Sequence, residues 1–356
     1  GVLMVPLAYL LGRRLFKNTF CAFCTAFLFT FDFMHLSQTR LATIDSYTVF
    51  FIMGMYYFMY RYISKSFYHH GVKKTLPPLF LSGLFFGLGA ATKWQGIYAG
   101  AGLAFLFFAS LVRRYMEYRA ACRTDGKDAQ MRHIVESFRP MAVQTVLFGA
   151  LFFVVVPAVI YFLSYIPAML TPATGLEFFF TNQPSMYNYH SGLADDHPYG
   201  SAWWSWPLDL RPLYAYSPNR SFGTSMGISS FGNPFVWWLT IPVIVGGIVQ
   251  TVRRKGSREL TFLLVGFASM YLPWVLVPRV AFIYHFFPCV IFVVLGIVYF
   301  IKRFVEKDPK EKKYVYLYLA AVFVLFLAFY PVLTGIAVPT AYVENCLRWL
   351  PSWVLG

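Results

Sequence analysis

Four short stretches hold most of the side chains able to do chemistry outside the basic clusters of the chain. The first, residues 35–46, carries His35, Gln38, Arg40, Asp45 and Ser46. Arg40 and Asp45 stand five apart, close enough to share a helix end, either as an ion pair closing a helix hairpin or as a charged corner of an active site. The second is Lys93-Trp94-Gln95-Gly96, where a lysine beside Trp reads as an interfacial anchor or as a point charge for a phosphate. The third runs from Asp195-Asp196-His197-Pro198-Tyr199 through Trp203-Trp204-Ser205-Trp206-Pro207 to Arg211. Its Trp and Tyr faces suit a sugar ring and equally suit a hairpin at headgroup depth. Asp195, Asp196 and His197 include metal-ligand types, but two vicinal carboxylates do not easily aim at one ion, so no metal is assigned. The fourth, Arg279 to Pro288, puts Arg279, Phe282, Tyr284 and His285 at a helix entrance, as a lipid-headgroup site or as a helix cap with an aromatic belt. Together the stretches supply cations for a phosphate, aromatics for a sugar and a carboxylate for an acceptor proton. That inventory fits a reaction on a lipid-linked phosphate sugar.

The elements that must position these residues are membrane helices. Of 356 residues 58% are hydrophobic, 21% aromatic and only 13% charged. A soluble domain carries about 25% charged residues, so a soluble fold and a disordered chain are both excluded. Apolar runs near the length of a bilayer crossing give ten spans, at about 1–12, 19–37, 47–62, 78–92, 97–112, 141–164, 235–252, 260–277, 281–301 and 315–335. The fold class is therefore all-α and polytopic. The pair at 78–92 and 97–112 is separated only by Lys93 to Gly96, a tight hairpin. Cys21 and Cys24 form a C-x-x-C inside an apolar run, with no partner pair at metal spacing, and read as small buried residues.

The net charge of +15 would suggest nucleic acid in a soluble protein. Here 24 of the 30 Lys and Arg fall in segments 13–18, 61–77, 113–140, 253–259 and 302–314, alternating along the spans as cytoplasmic loops do. No nucleic-acid partner is expected. The other side keeps Arg40, Lys93, Arg211, Arg220, Arg279 and Arg348, so the four chemical stretches share the outer face. Residues 166–234 form the long outer loop, rich in aromatic, Pro, Gly and Asn residues, expected to fold rather than dangle. Segment 113–139 reads as a solvated linker. The chain begins at Gly1 inside an apolar run, with no signal peptide visible, and reads as lacking its natural N-terminus.

The sequence resembles the protein O-mannosyltransferases, membrane enzymes that use dolichyl- or polyprenyl-phosphate mannose. The match rests on Gln38-Thr39-Arg40 with Asp45, Lys93-Trp94-Gln95-Gly96, His197-Pro198-Tyr199 leading to Trp203 through Pro207, and Arg279 through Tyr284-His285 to Pro288. These occur in family order across about residues 1–300. The resemblance implies a GT-C-like bundle forming one glycosyltransferase domain over 1–356, at the cell membrane. It implies inverting transfer of mannose to Ser or Thr hydroxyls of a protein, with no cofactor and no clear need for a divalent metal. Asp45 and Arg40 would be catalytic. Lys93, Trp94, His197, Tyr199, Trp203, Trp204, Trp206, Arg211, Arg279, Tyr284 and His285 would bind substrate. The family's main catalytic carboxylate lies in an Asp-Glu motif that would precede residue 1, so residues 1–356 alone would be inactive. The short outer loop resembles bacterial members. Two other readings remain: a lipid-carrier transferase acting on a glycolipid or wall polymer, and a transporter or flippase. The second would need buried mid-span charges, of which Asp32 is the chief example, and repeated halves, of which none is visible.

Overall fold

The computed structural model describes all residues except 124–127, 172–174, 193–196, 217, 219–222, 254 and 356. Asp195, Asp196 and Arg220 therefore lie outside the described residues. The chain is helical almost throughout, and its strands are short: Leu213–Tyr216 pairs antiparallel with Ile228–Ser230, and Thr224–Ser225 with Val338–Pro339. Among the described residues seven helices are long and apolar enough to cross a membrane, or eight if the bent pair Thr19–Thr30 and Phe33–Arg40 counts as one crossing. The two other spans read from sequence are also helices. Met4–Phe16 has only 13 residues, and Asp45–Ile63 is diluted by Asp45, Arg61 and five Tyr. By its internal contacts the chain divides into two compact units, residues 1–46 with 185–356, and residues 47–184.

The first unit is built around the helical span Ile283–Lys307. Every side chain from Phe287 to Tyr299 is buried, so this helix is apolar all round because other elements surround it. Thr19–Thr30, Thr240–Val252 and Arg258–Tyr271 pack on it. The sequence reads 19–37 as one straight span, and the structure corrects this: the helix breaks at Phe31-Asp32 and turns by 55°. The cause is local. Asp32 Oδ2 accepts the main-chain N–H groups of Met34 (3.0 Å) and His35 (3.3 Å), capping a new helix. Its Oδ1 accepts from Asn233 N (3.2 Å) and Trp237 Nε1 (2.9 Å), so the buried carboxylate is filled by four donors. Asp32 thus belongs to a joint, not to a transport path.

The second unit holds the hairpin Val72–Thr92 and Gln95–Arg123, followed by a continuous helical span Ala129–Ser164. That span contains a π turn at Leu151–Val155, where Gly83 of the neighbouring helix lies against the Phe152 carbonyl, too close for a Cβ. The expectation of a solvated linker at 113–139 is also corrected. Both helices extend beyond their apolar stretches, and Phe67, Tyr68, Val72, Ala121 and Ile134 form a small core between them. Ile134, Phe138 and Met141 recur at helical spacing among the charges, an apolar stripe that the net polarity of the segment conceals. Arg114 is buried in this region, held by Glu117 (2.8 Å) and by the Lys65 carbonyl.

Candidate active site

Asp45 opens the helix Asp45–Ile63, and its side chain is buried. It is placed by the short helix Phe33–Arg40 before it. Gln38 donates from Nε2 to Ser230 Oγ (3.1 Å), Thr43 donates to Gln38 Oε1 (3.5 Å), and Ser46 donates to the Gln38 carbonyl (3.0 Å). Gln38 therefore ties the turn carrying Asp45 to the strand Ile228–Ser230. Arg40, the last residue of its helix, is exposed.

Tyr284 begins the span Ile283–Lys307 and is half-buried, and both the Asp45 carboxylate and the Arg279 guanidinium act on its phenol electrostatically. Three residues from distant parts of the sequence are thereby gathered: a buried acid, a phenol and a half-buried guanidinium. The segment around Arg279 is held by the long loop. Ser201 N donates to the Ala281 carbonyl (2.8 Å), and Gly200 lies against Val280. His197 meets Phe282 edge-on at 4.9 Å, and Tyr199 N donates to His197 Nδ1 (3.2 Å). His197 is exposed and Tyr199 half-buried, so both face the space beside Phe282.

The Trp-rich run divides by accessibility. Trp204 is 57% exposed. Trp203 is half-buried against Tyr271, whose hydroxyl donates to the Trp203 carbonyl (3.0 Å). Trp206 is fully buried, with its indole N–H on Ser201 Oγ (3.0 Å) and its ring packed against both Trp274 and His285. His285 is buried too, 4.3 Å from both Trp274 and Tyr284, and accepts the Phe282 N–H at Nδ1 (3.2 Å). Trp206 and His285 were expected to touch substrate. Enclosed as they are, they act by packing, setting the turn that presents Arg279 and Tyr284. Arg211 is exposed beside the buried Asp209.

Asp209 went unnoticed in the sequence. Its Oδ1 accepts the Gly232 N–H (2.9 Å), one residue from the Asn233 N–H taken by Asp32. Burial pushes the Asp209 carboxyl well above the ordinary carboxylate range, against the Gly232 hydrogen bond that lowers it, and the Asp32 charge adds to the rise.

Lys93 and Trp94 belong to the second unit and are built by the hairpin turn there. Gly96 approaches the Gly89 carbonyl so closely that a Cβ would sit 2.5 Å from it, which accounts for glycine at this place in the motif. Trp94 Nε1 donates to the Tyr161 hydroxyl (2.9 Å), and that hydroxyl donates to Gln183 Oε1 (2.7 Å). Tyr165 is 3.2 Å from Tyr161 and accepts from Asn182 (3.3 Å). This polar chain beside Lys93 was missed because its members are spread over residues 94–183 with no common motif. Among the described residues no group of three or more His, Cys, Asp or Glu is placed to hold a metal.

Residues 1–171 match the family model described as dolichyl-phosphate-mannose-protein mannosyltransferase, and residues 175–353 match the C-terminal four-span region of protein O-mannosyltransferase. A polyprenol-phosphate-mannose–protein mannosyltransferase of Mycolicibacterium smegmatis is 25% identical, covering 99% of this chain and 76% of its own. The same-named protein of Corynebacterium glutamicum is 24% identical, covering 99% and 75%. The fold is similar to a chain of the Saccharomyces cerevisiae protein O-mannosyltransferase Pmt1-Pmt2 complex bound to the sugar donor, with a TM-score of 0.80 at 12% identity over 99% of this chain and 79% of that one. With both halves matched in order, the chain belongs to the dolichyl-phosphate-mannose–protein mannosyltransferase family.

Proposed function

We propose that this protein transfers mannose from a polyprenyl-phosphate carrier to Ser or Thr hydroxyls of proteins, with inversion, at the outer face of the cell membrane. The observation that carries this reading is that Asp45 and Arg279, far apart in sequence, both act electrostatically on Tyr284 at the start of the span Ile283–Lys307. A guanidinium there stabilises the phosphate as it leaves, acting as a fixed charge in a site that excludes water. Phe282 and Tyr284 stack at 5.8 Å beside it and offer an apolar path for the isoprenoid. His197, Tyr199 and the exposed Trp204 lie where a sugar and its acceptor would approach. The acceptor proton needs a carboxylate. Asp45 serves here as an acidic group that acts electrostatically on Tyr284, together with Arg279.

The basic segments would face the cytoplasm by the positive-inside bias. The donor is then a lipid phosphate already carried to the outer leaflet, and no nucleotide sugar enters the scheme. The test uses the full-length protein in vesicles, supplied with polyprenyl-phosphate mannose or GDP-mannose and a Ser/Thr peptide or its Ala counterpart. Product only from the lipid donor and the hydroxyl peptide, in the anomeric configuration opposite to the donor, is the expected result. Transfer to a glycolipid with the peptide untouched would move the acceptor to the lipid class.

A further inference from the structure

The opposite end of the first unit carries a feature that mannosyl transfer does not use. The span Ile283–Lys307 holds Tyr284 near one end and Lys302, Arg303 and Lys307 near the other, roughly 30 Å away at 1.5 Å rise per residue. At that far end, three basic segments widely separated in sequence come together. A cavity of about 360 Å³ opens among Phe16, Ser257, Glu259, Tyr299 and the Lys302–Lys307 turn. A second cavity of about 260 Å³ lies against Phe20 and Lys312 and shares Lys302 and Glu306 with the first.

The larger cavity is lined by three cations, Lys302, Arg303 and Lys307, and two carboxylates, Glu259 and Glu306, so its positive charge is only partly answered. Lys302 meets Glu306 at 3.6 Å, an open pair of small energetic weight. Arg303 uses one nitrogen: Nη1 donates to Gln250 Oε1 (2.8 Å) and to the Tyr299 hydroxyl (3.0 Å), which fixes the guanidinium plane. Among the described residues its Nε and Nη2, and the whole Lys307 ammonium, make no hydrogen bond or ion pair. Phe16 and Tyr299 are buried and give the larger cavity an apolar floor. Ser257, which caps the helix Arg258–Tyr271, lines the same space beside Glu259 of that helix's first turn. A pre-oriented guanidinium, two flexible ammonium groups and an apolar floor suit a phosphate attached to something greasy.

We infer that this cavity binds a phosphate group, carried by an anionic phospholipid headgroup or by a small phosphorylated solute. The phospholipid has the apolar floor in its favour, because the cavity opens where the membrane helices end. Such a site would tie the basic end of the bundle to one leaflet, separately from the donor site at the other end.

The probes are phosphatidylglycerol, phosphatidylcholine and inorganic phosphate, each added to the detergent-solubilised full-length protein, with bound lipid counted by native mass spectrometry and melting followed in parallel. Wild type should retain phosphatidylglycerol over phosphatidylcholine. Lys302→Ala/Arg303→Ala/Lys307→Ala should lower that retention roughly tenfold or more, since each charge-assisted hydrogen bond lost is a large fraction of such an affinity. Lys73→Ala/Lys74→Ala, basic residues of the other unit that line neither cavity, should leave it within about twofold. Stabilisation by inorganic phosphate that the triple variant abolishes would assign the cavity to a soluble phosphate and still support the site. Equal losses in the triple and the Lys73/Lys74 variants, or neither a preference between the two lipids nor stabilisation by inorganic phosphate in wild type, would overturn the proposal. If the triple variant fails to fold, Arg303→Lys replaces it: loss of selectivity there with an unchanged melting point supports the site, and full retention overturns it.

Discussion

Trp204 and Trp206 stand two residues apart and do different work. Trp206 packs against Trp274 and His285, so Trp206→Ala removes a buried ring and should cost about 3–5 kcal/mol, lowering the melting temperature and activity together. Trp204→Ala should leave melting unchanged and raise KM for donor or acceptor, because its ring is exposed beside the site. Thermal melting with steady-state transfer separates the two. Asp209 predicts a pH effect. Its folded carboxyl binds protons more tightly than an unfolded Asp, so folding is least penalised in acid, and stability falls as pH rises above about 4, the ordinary Asp range, toward the raised folded value. Asp209→Asn should remove that slope and suit the left-handed backbone there (φ 53°), with the gap in melting temperature over wild type widening from pH 4 upward. The residue types at these positions were plain from sequence, and their surroundings were not. Alternation cannot tell a buried Trp from an exposed one within a six-residue 3₁₀ turn, and the partners of Trp206 lie some 70 residues away.

At the scale of elements, helix identity was legible because long apolar runs admit little else in a bilayer. The break at Asp32 was not. A single Asp in an apolar run looks like an isolated charge until its four donors, two of them from residues 233 and 237, are brought beside it. Asp32→Ala would orphan those buried N–H groups and remove a cap, and should cost about 3–5 kcal/mol. Because the same carboxylate holds Asn233 next to Ser230, and Ser230 holds Gln38, activity should fall further than stability alone accounts for. Transfer assayed well below the melting temperature of the variant reads this directly. The hairpin turn at Lys93 is tested by Gly96→Ala: a Cβ 2.5 Å from the Gly89 carbonyl must splay the helices, costing about 1–3 kcal/mol. The apolar stripe through 131–141 was hidden by seven basic residues spread over 113–140, since mean polarity outweighed periodicity.

For the whole molecule, the division of charge along the chain becomes a division between the ends of the first unit. Segments 13–18, 253–259 and 302–314 meet at one end, and the residues of the site lie at the other. With the exposed Cys122 and Cys346 replaced by Ser, a cysteine at Ala202 should be labelled only from outside the cell and one at Lys255 only after permeabilisation. The central claim is that Arg279 holds the phosphate of a lipid-linked mannose, and the most direct measurement compares donor binding and transfer by the full-length protein carrying Arg279→Ala, Arg279→Lys or Arg348→Ala. Arg348 is an exposed residue already paired with Glu344 at 2.7 Å, so its loss should leave both readouts at wild-type level. Arg279→Ala should lower transfer by roughly 10²–10³ and weaken donor binding, with Arg279→Lys recovering only part because a fork becomes a point charge. Equal, mild effects at Arg279 and Arg348 would contradict the account and return Arg279 to the role of a helix cap.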